Sequence, residues 1–242
     1  MTGRADRLDR VRRVTADLRT AARMPRVNVI ASRGEETEEE VLRFFSRRHP
    51  RYRIVANKAV GAALLPLADY EDVEMYLASL RTTRKRVRRA ERLGYAFGPF
   101  DPDDRRPELL AIHASLPERQ GQPIEAAYLD PAAVYDKGPH VEYLGVFHDR
   151  ILVAYAHLRY AGEIVGLNRV MGHGEHLDDG IMFLLMAGIV EHVKTTRPDI
   201  HYVFYDMFFG AGEGLRAFKT HLGFRPHFVR WKRELAPPDG ST

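Results

Sequence analysis

Residues 201–224 read His201-Tyr-Val-Phe-Tyr205-Asp206-Met-Phe-Phe-Gly210-Ala-Gly212-Glu-Gly214-Leu-Arg-Ala-Phe218-Lys219-Thr-His221-Leu222-Gly223-Phe224. They predict a strand from His201 to Asp206, a glycine loop, a helix from Gly214 to His221 and the start of a last strand from Phe224 to Leu235. Working back from this unit, the apolar stretch Asp178 to Lys194 predicts a long helix. It is preceded by three strands, Val141 to Phe147, Ile151 to Tyr160 and Glu163 to Met171. Tight turns at His148-Asp149-Arg150 and Ala161-Gly162 join those strands as hairpins. Hairpins followed by strand, helix, strand, helix, strand make a layered α/β domain.

Further upstream the order is less regular. A helix over Glu108 to Ser115 and a helical piece near Pro131 to Tyr135 precede the hairpins, after an Asp- and Pro-rich loop, Asp101 to Pro107, and a strand, Tyr95 to Phe100. The apolar positions Val73, Leu77, Leu80 and Val87 predict one helix over Asp69 to Leu93, ended by Gly94. Before it come strand material over Arg53 to Leu67, interrupted by Gly61 and Pro66, an acidic helix over Glu35 to Ser46 and a short strand, Arg26 to Ala31. Leu8, Val11, Val14 and Leu18 give Ala5 to Arg23 an amphipathic helical pattern with a basic outer face. This divides the chain into a reduced first subdomain with its helical arm (1–94), a complete domain (95–235) and a frayed tail (236–242).

The composition removes several chemistries. There is no cysteine among the 242 residues, so disulfides, thiolate metal sites and cysteine nucleophiles are excluded together. No run of apolar residues is long enough to span a membrane, and the Arg-rich start, broken by Asp6, Asp9 and Asp17, does not read as a secretory leader. A cytoplasmic protein is expected. His173 and His176 flank Glu175, but two loop histidines without a third matched ligand make a poor metal site, and no metal is expected. Met182, Phe183 and Met186, like Phe224, Phe228 and Trp231, read as core.

The net charge is only +4, yet seven cations crowd Arg81 to Arg92. Arg81, Lys85, Arg88 and Arg92 fall on one helical stripe, which Arg84, Arg86 and Arg89 widen. A phosphate backbone suits such a stripe, because each neutralised phosphate releases counterions. A solvated helix face is the plainer alternative.

The closing unit, with Tyr205-Asp206, the glycine loop, Phe218-Lys219 and Leu222-Gly223-Phe224, resembles the last motif of Fem-type proteins within the GNAT superfamily. The basic stretch from Leu80 to Gly94 resembles the helix that precedes their second domain. The resemblance covers roughly residues 70–235. It implies a mixed, mostly antiparallel sheet flanked by helices, and transfer of an amino acid from aminoacyl-tRNA to an amine. Fem-type proteins carry two complete GNAT domains and this chain shows one, which implies a smaller acceptor, such as an antibiotic precursor or a free peptide.

The resemblance assigns catalysis to Phe218 and Lys219, with the lysine stabilising the oxyanion or the leaving hydroxyl. Tyr205 and Asp206, at a strand end beside the GNAT substrate site, are candidates for donating to a reacting oxygen and for holding the attacking ammonium; Asp206 capping the glycine loop is the alternative. His157, with Asn168 and Arg169 on the neighbouring strand, is a candidate for substrate binding or a structural histidine. The implied partners are aminoacyl-tRNA, as co-substrate, and a small-molecule or peptide amine, with no bound cofactor. Acetyl-CoA is disfavoured because Glu175, Asp178 and Asp179 stand where acyl-CoA enzymes cradle a pyrophosphate. An acyl-CoA-dependent N-acyltransferase and a non-enzymatic RNA-binding module are the alternative functions.

Overall fold

Ten strands and six helices are defined in a computed structural model of the chain, which describes residues 20, 23–48, 56–119, 122–209 and 211–234. In order they are β1 (Arg26–Ser32), α1 (Glu36–Ser46), β2 (Val60–Pro66), α2 (Val73–Ser79), α3 (Arg81–Arg92), β3 (Ala96–Pro99) and α4 (Arg106–Ala114). A two-residue pair follows, β4 (Glu118–Arg119) and β5 (Gln122–Pro123), then β6 (Val141–His148), β7 (Ile151–Ala161) and β8 (Ile164–Gly172). The last elements are α5 (Ile181–Thr196), β9 (Tyr202–Met207), α6 (Glu213–His221) and β10 (Arg225–Arg233). The arm expected over residues 5–23, apart from Thr20 and Arg23, and the tail 236–242 lie outside the described residues. No helix among the described residues is long and apolar enough to cross a membrane.

Eight strands form one sheet in the order β1-β10-β2-β9-β8-β7-β6-β3. Only β1–β10 and β8–β9 pair parallel among the described strands, so the sheet is mixed and mostly antiparallel, as the resemblance implies. Strands β1 and β2 enclose β10, so the strands before residue 94 share a sheet with those after it. Alternating side chains give the sheet two apolar faces. One packs Leu65, Val165 and Val203 against α2, α3 and α5. The other packs Leu64, Phe204 and Trp231 against Phe45 of α1, and Tyr143 and Tyr155 against Leu109 and Ile112 of α4. Helix α5 is apolar on nearly every side because nine of its residues are buried.

Three local expectations are corrected. The stretch Asp69 to Leu93 is two helices, with Asp72 capping α2 through Met75 N at 2.7 Å and Leu80 (φ −122°, ψ 81°) standing between them. The apolar rhythm runs unbroken through Leu80, which hides the joint. Pro131 to Tyr135 is not helical: the Asp130 carboxylate accepts from Ala132 N at 2.8 Å, a local bond that competes with a helix, and the helical turn lies earlier, at Ala126–Leu129. Gly61 stays inside β2 and breaks its register instead of ending it: its φ is 81°, and β10 pairs with Val60 and Ala62 on either side of it.

Candidate active site at a strand splay

Strands β8 and β9 hydrogen-bond only from Ile164–Gly166 to Tyr202–Phe204, then part. Each carries an extra residue at the parting. On β8, His157 pairs with Arg169 and Leu158 with Leu167, so Asn168 has no partner on β7. On β9, Phe204 pairs with Leu64 and Met207 with Ala62, so Tyr205 and Asp206 together face Ala63 alone. Asp206 adopts φ 49°, the left-handed region an aspartate tolerates better than most residues. Bulges bend strands and sharpen their twist, and two of them at one level open the sheet.

A cavity of about 690 Å³ fills the opening. Consecutive residues Gly166 to Met171 of β8 and Phe204 to Asp206 of β9 line it, although neighbouring side chains point to opposite faces of a sheet. The cavity therefore reaches both faces at the strand edges. Phe44 and Phe45 of α1 and Tyr128 wall one side, and Leu215 and Lys219 of α6 the other.

Lys219 is 1% exposed. Its ammonium donates to Met207 O at 2.8 Å and lies 4.7 Å from the centre of the Tyr205 ring. Burial pulls its pKa down to about 8, against a small opposing effect from Asp206. Tyr205 moves the other way, up to about 12, through burial and then the Asp206 charge, so its hydroxyl stays a donor at neutral pH. Helix α6 is anchored just beyond Lys219, where Tyr76 OH donates to Leu222 O at 3.0 Å and the Thr83 hydroxyl to His221 O.

Of the residues singled out in sequence, Lys219, Tyr205, Asp206, Asn168 and Arg169 meet at the cavity. Asp206 lies at its exposed rim, ion-paired with Lys58. The Arg169 guanidinium lies 4.3 Å from the centre of the Tyr128 ring and has no carboxylate partner among the described residues. Phe218 does not join them; it packs edge-on against Phe183 of α5 at 5.3 Å. His157 stands behind the wall, stacked on Tyr143 at 4.7 Å and contacting Asn168 Nδ2 through Nδ1 at 3.3 Å. Lys58, Arg159 and Tyr128 also line the cavity, and no spacing in the sequence connects them to the closing motif.

The seven cations of α3 divide into two groups. Arg86 donates to Asp178 O and Arg89 pairs with Asp179, each at 3.0 Å, so these two hold the turn before α5. The side chains of Arg81, Arg84, Lys85, Arg88 and Arg92 have no hydrogen-bond or ion-pair partner among the described residues. The backbone of α3 also crowds the start of α5, since a Cβ on Gly180 would lie 2.5 Å from Arg86 O.

No family model matches the sequence, and no curated protein matches it. Among solved structures, FemX aligns with a TM-score of 0.56 at 13% identity, over 72% of this chain and 61% of its own. L-PGS from Bacillus licheniformis aligns with a TM-score of 0.48 at 16% identity, over 69% and 58%. A tandem GNAT protein from the clavulanic acid biosynthesis pathway gives 0.47 at 17%, over 70% and 50%. This chain thus spans between 50% and 61% of the length of these structures. At such identities the likeness is one of fold alone, and of these three the FemX alignment carries it: the chain has the GNAT fold.

Proposed function

We propose that this chain is an acyltransferase that moves the aminoacyl group of a charged tRNA onto the amine of a small-molecule or peptide acceptor in the cytoplasm. The observation that carries the proposal is Lys219, a buried ammonium at the wall of the splay that donates to Met207 O. A neutral amine attacks the ester carbonyl, forming the C–N bond and leaving an oxyanion. That intermediate collapses with loss of the ribose hydroxyl, which takes up a proton as the amine nitrogen gives one up. A fixed cation in a dry site favours the oxyanion and the departing oxygen over the neutral ester, and so lowers the barrier. Tyr205 offers a hydroxyl proton to the same region, and Asp206 at the rim receives the incoming ammonium. Because the ester already carries the activation, no bound cofactor is required.

The free cations of α3 favour RNA as the donor. This helix is tied to the end of α6 by the Thr83 hydroxyl, which brings its charge close to the helix that holds Lys219. An acyl-CoA donor is disfavoured where α3 packs on Gly180, because the helix end that would receive a pyrophosphate is crowded by backbone.

The test is turnover of pooled aminoacylated tRNA, radiolabelled one amino acid at a time, by wild type and Lys219→Met, with acyl-CoA as the competing donor. Transfer or deacylation from one charged tRNA, lost in Lys219→Met, supports the reading. Turnover of acyl-CoA alone replaces it with an N-acyltransferase, and RNA binding without turnover of either donor replaces it with a binding module.

A further inference from the structure

The turn between β8 and α5 lies outside the splay cavity and gathers His173, Glu175 and His176. One ligating atom from each lies within 4.8 Å of the other two. In sequence the two histidines lack a third ligand. The 3₁₀ turn over Gly174–Asp179 supplies it by bringing the Glu175 carboxylate beside both rings.

A second observation concerns how His176 is held. Tyr95 OH donates to Asp179 Oδ2 at 2.9 Å, and Asp179 is also paired with Arg89. The Tyr95 hydrogen bond, followed by Arg89, keeps the Asp179 carboxyl below its ordinary pKa, so it stays an acceptor. Tyr95 has a single hydroxyl proton, and with that proton on Asp179 its oxygen accepts from His176 Nδ1 at 2.7 Å. The Nδ1 proton is thus committed to Tyr95, and Nε2 is the ring nitrogen left to meet a metal. A carboxylate-supported chain that fixes the tautomer is how proteins prepare an imidazole to ligate a metal. On the neighbouring ring, His173 Nδ1 is buried with no partner among the described residues.

We propose that His173, Glu175 and His176 bind a divalent transition-metal ion of the zinc type, with water completing the coordination. Two imidazoles and one carboxylate suit zinc and cobalt, whereas calcium and magnesium prefer oxygen ligands alone. The ion would pin the turn that precedes α5 and, through Tyr95 and Asp179, couple it to Arg89 of α3.

The test is titration of untagged, chelator-treated protein with Co²⁺, followed by displacement with Zn²⁺. One equivalent with a visible d–d absorption band, displaced by zinc and accompanied by a higher melting temperature, is expected. His173→Ala and His176→Ala should each weaken binding at least about tenfold, and Tyr95→Phe by roughly tenfold through loss of the tautomer lock. His148→Ala, which alters a neighbouring ring without removing a ligand, should leave affinity unchanged. Circular dichroism of each variant separates lost binding from lost folding. Failure of the wild type to bind, or binding that survives the His173→Ala/His176→Ala double change, overturns the proposal.

Discussion

The Lys219 ammonium sits 4.7 Å from the centre of the Tyr205 ring, on a residue that is 1% exposed. A ring face attracts a cation but cannot neutralise it, so the charge stays available to an oxyanion forming in the splay.

That placement sets two opposite responses to alkali. Protonated Lys219 is the working form, so transfer should fall as the pH rises through about 8. Stability should move the other way. The folded pKa of about 8 lies below the ordinary lysine value of 10.5, so between them the unfolded chain binds more protons and folding is favoured as pH rises. Urea melts of wild type from pH 7 to 10.5 should show this gain, and Lys219→Met should lack it.

His157 produces the same sign at the acid end. It is 6% exposed, its Nε2 has no partner among the described residues, and burial followed by the Arg169 charge pushes its pKa down to about 4 from 6.5. Its contribution is complete above pH 6.5 and is lost as the pH falls to about 4, at no more than about 1.4 kcal/mol per pH unit. Equilibrium unfolding of His157→Gln across that interval should have a shallower pH slope than wild type; an unchanged slope would show that His157 does not titrate in this window.

Charge reversal on α3 should separate binding from architecture. Lys85→Glu with Arg88→Glu alters two exposed, unpartnered cations and should weaken tRNA binding while leaving the melting temperature within about a degree or two, as expected for surface changes. The slope of log affinity against log salt should drop by roughly 0.7 to 0.9 for each phosphate that is no longer neutralised. Arg89→Ala, which removes the partner of Asp179, should instead lower the melting temperature.

Gly180→Ala is expected to destabilise the protein by about 1 to 3 kcal/mol. Its backbone is left-handed (φ 93°), and the added methyl would meet Arg86 O at 2.5 Å, forcing α3 off the start of α5. Thermal denaturation measures the loss. A variant as stable as wild type would mean that the two helices are not this close in solution.

The hairpins, the long core helix and the closing strand-loop-helix unit were legible because periodicity and turn residues are local properties. Lys219 was legible only through the motif around it, since an isolated lysine on a helix reads as surface. The splay was not legible. Its two bulges, at Asn168 and at Tyr205-Asp206, depend on register against Ala63 and His157, which no single segment records. Lys58 reaches Asp206 from the far end of the chain, and Arg86 and Arg89 meet their partners some ninety residues downstream. Long-range pairing also explains why an apparently uniform basic stripe has two kinds of arginine.

The position of β10 between β1 and β2 carries a consequence for synthesis. On the ribosome β1 and β2 emerge early, yet the strand that joins them is made after β3 through β9. Until Arg225–Arg233 is released, β1 has no neighbour in the sheet and β2 has one edge open. The nascent chain therefore carries unpaired strand edges through most of translation, a period in which chaperone capture competes with aggregation.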